Sequence, residues 1–160
     1  MLHVKIIAVG KIRDMYLKAG IQEYVKRLQA YVYLDVVEIA DQSIPDKASP
    51  ALCARIKGQE SEKILLTLTD QEFVVLLDRS GKQVASEELA AFIEKEALCG
   101  TSRLTFIIGG SLGVDDKVRR RANWCWSFST LTFPHQLMRL MLLEQIYRAC
   151  KIRAREVYHK

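Results

Sequence analysis

Two stretches of this chain carry residue types able to do chemistry. Gly109-Gly110-Ser111-Leu112-Gly113 spells G-x-S-x-G, the pattern of a nucleophile elbow between a strand and a helix. With Asp115 and His135 downstream, serine, acid and histidine fall in the order seen in α/β hydrolases. The spacing opposes that chemistry. Asp115 lies within about one helical turn of Ser111, whereas a triad acid must orient the histidine from a separate strand end. A dinucleotide fingerprint is opposed too: G-x-G-x-x-G is absent, and Asp115-Asp116 puts negative charge where a pyrophosphate would sit. A third reading is that the glycines let backbone amides approach a ligand without anionic phosphate, such as an adenosyl group. A side chain at Gly110 would then occupy the approach path. A plain tight turn is the alternative.

The second stretch is Trp124 to Arg148, WCWSFSTLTFPHQLMRLMLLEQIYR. Ser127 to Phe133 alternates small polar and apolar residues, like a short strand running out into a loop. Pro134 fits the first turn of a helix, where its missing N–H costs nothing. From His135 to Tyr147 that helix is apolar nearly all round, interrupted by Gln136, Arg139, Glu144 and Gln145. So little polar face requires burial, in the core or against a partner subunit. His135 and Arg139 share a face, and so do Glu144 and Arg148. Polar groups on a buried helix are costly unless paired, which marks these four as candidates for a task. The bland readings are a helix-capping role for His135 and, for Arg139, pairing with Glu144 or a backbone carbonyl.

The elements that must position these residues alternate in type. Leu2 to Val9 reads as a buried strand ending at Gly10, and residues 14 to 32 as a helix with Asp14 at its N-cap. Its apolar face holds Leu17, Ile21, Tyr24, Val25, Leu28 and Tyr31. Leu34 to Ile39 is a second strand, and Asp41 to Pro50 an exposed, mobile loop with two of the three prolines. A helix from Ala51 to Leu68 follows, then a strand from Phe73 to Leu77 closed by Asp78-Arg79-Ser80-Gly81. Ser86 is expected to cap a third helix whose first turn holds Glu87 and Glu88. Leu104 to Ile108 is a fourth strand, running straight into the glycine loop. Apolar strands separated by amphipathic helices mean an α/β fold, a parallel sheet covered by helices on both faces. Ligands in such folds bind outside the carboxyl ends of the strands. The loops after Leu77 and Ile108 and the stretch Ser127 to Phe133 are the candidates there.

With 160 residues, one domain over the whole chain is the natural count. No apolar run reaches membrane-spanning length, and the first residues show no basic region followed by an apolar one, so no signal peptide is expected. Cys53, Cys99, Cys125 and Cys150 are scattered without Cys-x-x-Cys or a nearby histidine pair. Neither a metal site nor a disulfide framework is expected, and the pattern suits a reducing cytoplasm. The net charge of +5 is unevenly placed. From Asp115 onward there are ten Lys or Arg against four Asp or Glu, while the first 114 residues are nearly balanced. Charge concentrated in one region is the footprint of a polyanion site, nucleic acid above all, or else a solvated basic face. Lys117, Arg119, Arg120 and Arg121 form its densest run, continued by Arg148, Arg153, Arg155 and Lys160.

The loop Gly109-Gly110-Ser111-x-Gly113, the block from Ser127-Phe128-Ser129 to Phe133-Pro134-His135, and Arg139, Glu144, Gln145, Tyr147, Arg148 and Ala149 together resemble the RlmH family. These SPOUT-superfamily methyltransferases act on a pseudouridine of large-subunit ribosomal RNA. Val9-Gly10-Lys11, Tyr24-x-Lys26-Arg27-Leu28, Leu77-Asp78-x-x-Gly81-Lys82 with Ser86-Glu87, and the ending Tyr158-His159-Lys160 match as well. Ser61 departs from the pattern, which has glycine after Glu60, at a position expected to be far from the site. The resemblance implies a C-terminal trefoil knot, a rare exception to unknotted topology, and a homodimer covering the apolar helix. It implies S-adenosylmethionine in a pocket lined by Leu77, Gly109, Gly110, Gly113 and the backbone from Phe128 through Ser129, Thr130, Leu131 and Thr132 to Phe133. The implied reaction is methyl transfer to N3 of the pseudouridine, without a metal, with ribosomal RNA in the assembled ribosome as the expected substrate and a subunit or free RNA as the alternatives. Loss of the N3 proton would be assisted by a base or nearby cations. The candidates are His135, Arg139, Tyr158 and His159, with Arg139 as electrostatic stabiliser. A serine hydrolase using Ser111 and a non-catalytic ribosome-binding module stand as the alternatives.

Overall fold

The computed structural model describes residues 1–160. Five strands and five helices alternate: β1 (Leu2–Val9), α1 (Met15–Leu28), β2 (Val32–Ile39), α2 (Pro50–Leu66), β3 (Phe73–Gln83), α3 (Ser86–Leu98), β4 (Arg103–Ile108), α4 (Asp116–Arg121), β5 (Trp124–Ser127) and α5 (His135–Arg153). The strands form one sheet in the order β2-β1-β4-β3-β5. All its pairings are parallel. Strand alternation sorts the core into two layers. Val4, Ile6, Val75, Leu104, Phe106 and Trp126 face α1, α3 and α5, while Ile7, Val9, Val74, Leu76 and Ile107 face Ile64 of α2 and Val118 of α4. The chain visits β4 before crossing β3 to reach β5, so the carboxyl ends of these three strands meet.

Helix α5 is the main cover of the first layer. Leu142, Leu143, Ile146, Tyr147, Ala149 and Cys150 are buried, and Leu137, Met138 and Leu140 are half-buried against the same core. No helix is long and apolar enough to cross a membrane.

Several local expectations change. The last strand is Trp124–Ser127, not Ser127–Phe133. Trp124, Cys125 and Trp126 pair with Val75, Leu76 and Leu77. Beyond them Ser127 Oγ donates to the Ser129 carbonyl (2.8 Å) and Ser129 Oγ accepts from Leu131 N–H (3.1 Å). Such short side-chain-to-backbone bonds turn the chain out of the ladder. Strand β3 runs past Leu77, because Trp126 pairs with both Leu77 and Lys82 and residues 78 to 81 bulge out between them. Ser86 does not cap α3. The N-cap is Ala85, whose N–H donates to Glu88 (2.7 Å), while Ser86 Oγ donates to Gln145 (2.8 Å). Asp14 stands at the N-cap of α1 without a side-chain bond, and that helix ends at Leu28.

Candidate active site

The three meeting strand ends enclose a cleft of about 710 Å³, well within the range of small-molecule sites. Leu77, Asp78 and Arg79 come from β3, and Ile108 through Val114 from β4 and the glycine loop. Trp126 through Ser129 and Leu131 through His135 come from the end of β5, the loop after it and the start of α5, and Met138 and Arg119 complete the lining. Of the ten residues expected to hold a cofactor, nine line this cleft; Thr130 is exposed and does not. Asp78, Arg79, Arg119 and Met138 line it without having been singled out for that purpose. The expected convergence of three loops is thus reproduced, with the third running from the end of β5 to the start of α5.

The glycine loop closes on itself, with Gly113 N–H donating to the Gly110 carbonyl (2.9 Å). The reason for glycine at 110 differs from the expected one. A Cβ there would not enter the cleft; it would meet Glu60 Oε1 at 3.0 Å and Val9 Cγ1 at 3.1 Å behind the loop. Ser61 is also closer to the site than expected. It is fully buried (0% exposed), and its Oγ accepts from Asp115 N–H (3.0 Å) where the loop enters α4. Neighbouring Glu60 accepts from Gln42 N–H (3.1 Å), and burial, with Asp41 nearby, pushes its carboxyl up. Helix α2 therefore braces the loop from behind.

The hydrolase arrangement is absent. Asp115 caps α4, accepting from Lys117 N–H (3.0 Å) and Val118 N–H (3.3 Å), and so is not available to a histidine.

His135 begins α5 at the cleft wall. Burial pushes its imidazole below the usual histidine range; Asp41 opposes this, and Arg139 and Arg13 add to it. Burial thus favours its neutral form. Arg139 does not face the cleft. It is 4% exposed, with Nη1 donating to Glu38 (2.7 Å) and Nη2 to the Gly10 carbonyl (3.0 Å), and its buried Nε has no partner. Its charge is committed to β2 and to the turn after β1.

Tyr158 and His159 form a separate cluster. The Tyr158 hydroxyl lies 3.2 Å from Tyr24 Oη and donates to Glu144 (3.1 Å); burial, Tyr24 and Glu144 together push it far above the tyrosine norm. His159 reaches Arg148 through Nδ1 (3.2 Å) and Glu87 through Nε2 (2.6 Å). Within one chain neither lines the cleft. Glu144 and Arg148, expected on one face, form an ion pair at 2.6 Å.

The basic residues also divide. Arg119 is paired with Asp78 at the cleft. Burial alone would raise the Asp78 carboxyl, but Arg119 and Ser80 outweigh it and hold it low. Arg121 donates to the carbonyls of Thr69 (2.8 Å) and Glu72 (3.0 Å). Lys117, Arg120, Arg155 and Lys160 are exposed, and Arg153 is half-buried.

A family model described as "Predicted SPOUT methyltransferase" matches residues 2–159. The chain belongs to the SPOUT methyltransferase family. Among curated relatives it is 54% identical over 160 residues, 100% of both chains, to a protein of Desulfitobacterium hafniense named ribosomal RNA large subunit methyltransferase H. It is 54% identical over 159 residues, 99% of this chain and 100% of the relative, to the protein of that name from Bifidobacterium animalis subsp. lactis. The Latilactobacillus sakei protein of the same name is 50% identical over 159 residues, with the same shares covered.

A SPOUT methyltransferase needs a methyl donor, and the cleft's chemistry suits one without phosphate. Its two arginines are already engaged, Arg79 with Thr132 Oγ1 (2.9 Å) and Arg119 with Asp78, leaving no free cationic clamp. Apolar side chains (Leu77, Ile108, Leu112, Phe128, Leu131, Phe133 and Met138) offer walls for a flat, largely neutral ligand. No group of His, Cys, Asp or Glu side chains converges to hold a metal ion.

Proposed function

We propose that this chain is an S-adenosylmethionine-dependent methyltransferase that methylates N3 of a pseudouridine in large-subunit ribosomal RNA. The observation that carries the reading is the full-length similarity to relatives named for ribosomal RNA large-subunit methylation, joined to a largely apolar cleft at the meeting strand ends whose two arginines are already engaged. In this reading the chain is one cytoplasmic SPOUT domain, its C-terminal segment threaded as a trefoil knot. Two copies form a homodimer over the half-buried face of α5.

S-adenosylmethionine supplies the methyl group when bound. Leu77, Gly109, Gly110, Gly113, Phe128, Ser129 and residues 131 to 133 hold it, and Thr130 only links them. His135, kept neutral by burial, takes the N3 proton. Arg139 serves as a positioning residue rather than a direct stabiliser, since it grips the Gly10 carbonyl. Tyr158 and His159 act at the partner subunit's cleft. The exposed Lys117, Arg120, Arg155 and Lys160, with Arg119, Arg121, Arg148 and Arg153 beside them, contact RNA phosphates. Holding both reactants in place supplies much of the rate.

The test is incubation of the purified protein with labelled S-adenosylmethionine and either ribosomes, isolated subunits or free RNA. Label at N3 of a pseudouridine in one of these is expected. Binding to ribosomes without label would leave the binding-module reading. Co-refolding a His135→Gln chain with one lacking Tyr158 to Lys160 tests the shared site. Random pairing then restores roughly a quarter of wild-type activity, because half the dimers hold one intact site. No recovery in confirmed mixed dimers would place the tail at its own chain's cleft.

A further inference from the structure

The turn after β1 and the first turn of α1 carry exposed groups that neither the core nor the cleft uses. Ile12 and Leu17 are buried in the first core layer. Pinned at both ends, the stretch between them is held outward, with Met15 75% and Tyr16 73% exposed. Lys11, Arg13 and Lys18 are exposed around this pair. Arg119, Arg139 and Arg148 are each committed to an ion pair, whereas these three cations stand in none. Asp14, the one acidic residue from Lys11 to Lys18, sits at the N-cap of α1, where the helix dipole offsets its charge. Two adjacent large side chains left in water mark an interaction surface. Ringed by free cations, an aromatic ring suits nucleic acid, whose bases stack and whose phosphates are drawn to positive charge.

The fold fastens this segment to the rim of the cleft. Gly10 faces His135, whose Nε2 would stand 3.3 Å from a Cβ at position 10. Arg13 N–H donates to Gln136 Oε1 (3.0 Å) at the start of α5. Helix α4, with exposed Lys117 and Arg120, packs on the other face of the sheet, so the cleft lies between two cationic edges. We propose that Lys11 to Lys18 is a second RNA-contact surface, on which Tyr16 stacks against an unpaired base beside the target while Lys11, Arg13 and Lys18 hold flanking phosphates. The choice of an unpaired base rests on the methyltransferase reading. N3 of a pseudouridine lies on its Watson–Crick edge, so the target must be out of any pair before it is methylated. Unpaired neighbours then offer free faces to an aromatic side chain.

The test measures binding of the full chain to ribosomes over a range of salt. Tyr16→Ala should bind roughly ten-fold more weakly, the loss of one stacked base, with an unchanged salt slope. Tyr16→Phe should bind as the wild type does, because stacking needs the ring and not the hydroxyl. Lys11→Ala with Arg13→Ala should instead lower the salt slope by about one and a half units. All these side chains are exposed, so urea unfolding and S-adenosylmethionine affinity should match the wild type. Wild-type ribosome affinity in Tyr16→Ala overturns the proposal. So does a fall in the sedimenting mass of Tyr16→Ala, which would show that a second copy of the chain covers Tyr16. Wild-type protein that transfers no methyl group overturns the methyltransferase reading, whatever the variants bind.

Discussion

Below the middle of the sheet, toward the strand amino ends, buried charge is saturated with partners. Lys5 Nζ donates to Glu72 (2.9 Å) and to the Thr67 carbonyl (2.5 Å), and the other Glu72 oxygen accepts from Thr105 (2.5 Å). Burial alone would raise the Glu72 carboxyl, but Thr105 and Lys5 outweigh it and hold it low. At the carboxyl ends the opposite holds. Arg139 has an unpartnered buried Nε, burial pushes His135 down, and burial pushes Glu60 up. A fold gains nothing in stability from groups left short of partners. The lower cluster fastens α2, β1, β3 and β4 together, while at the upper end His135 lines the cleft and Glu60 and Arg139 back the glycine loop and the turn after β1.

The comparison breaks most forcefully at its stable end. Glu72→Ala leaves Lys5 buried without its partner, which should cost about 3–5 kcal/mol in urea unfolding. Remaining folded protein should still bind the donor normally. Because the Glu72 carboxyl is lowered in the fold, its contribution is full above the ordinary carboxylate range and fades as pH falls below it. Wild-type stability should therefore drop on acidification through that range, and the Glu72→Ala protein should lose this part of the dependence.

Ser61→Ala sharpens the contrast from the other side. It strips the Asp115 N–H of its acceptor and should cost about 1–3 kcal/mol, with weaker donor binding in calorimetry because the glycine loop loses its brace. Stability lost with donor affinity unchanged would show that α2 does not position the loop. The smallest effects belong to the surface. Lys117→Glu with Arg120→Glu should change stability by less than about 0.5 kcal/mol. Each lost phosphate contact should lower the salt slope of ribosome binding by about one unit. Arg121→Ala, which frees the Thr69 and Glu72 carbonyls, should instead register in urea.

Much of the upper end was legible in the chain. Continuous apolar runs mark β1, β3 and β4, and the glycines after Ile108 mark the cleft floor. Pro134 marks the start of α5, and the spacing of Glu144 and Arg148 puts them on one face, where they pair. What stayed hidden depends on contacts distant in sequence. Arg139 reaches Glu38 across 101 positions, and Ser61 meets Asp115 across 54. Position 61 reads as remote when only its helix is considered, since nothing local signals that α2 lies behind the glycine loop. The strand at Trp124 was misplaced because alternation continues through Ser127 to Phe133, where serine hydroxyls in fact turn the chain.

The central claim is that the methyl donor binds where β3, β4 and β5 end. Nitrogen–proton spectra of the full chain titrated with S-adenosylmethionine test it without any substitution. The amides of Leu77, Gly109 to Val114 and Ser127 to Phe133 should shift together and saturate at one donor per chain. Shifts gathered instead around Tyr24, Leu140, Met141 and Gln145, which line the neighbouring hollow of about 440 Å³ between α1, α5 and the end of β5, or no saturable shift at all, would contradict it.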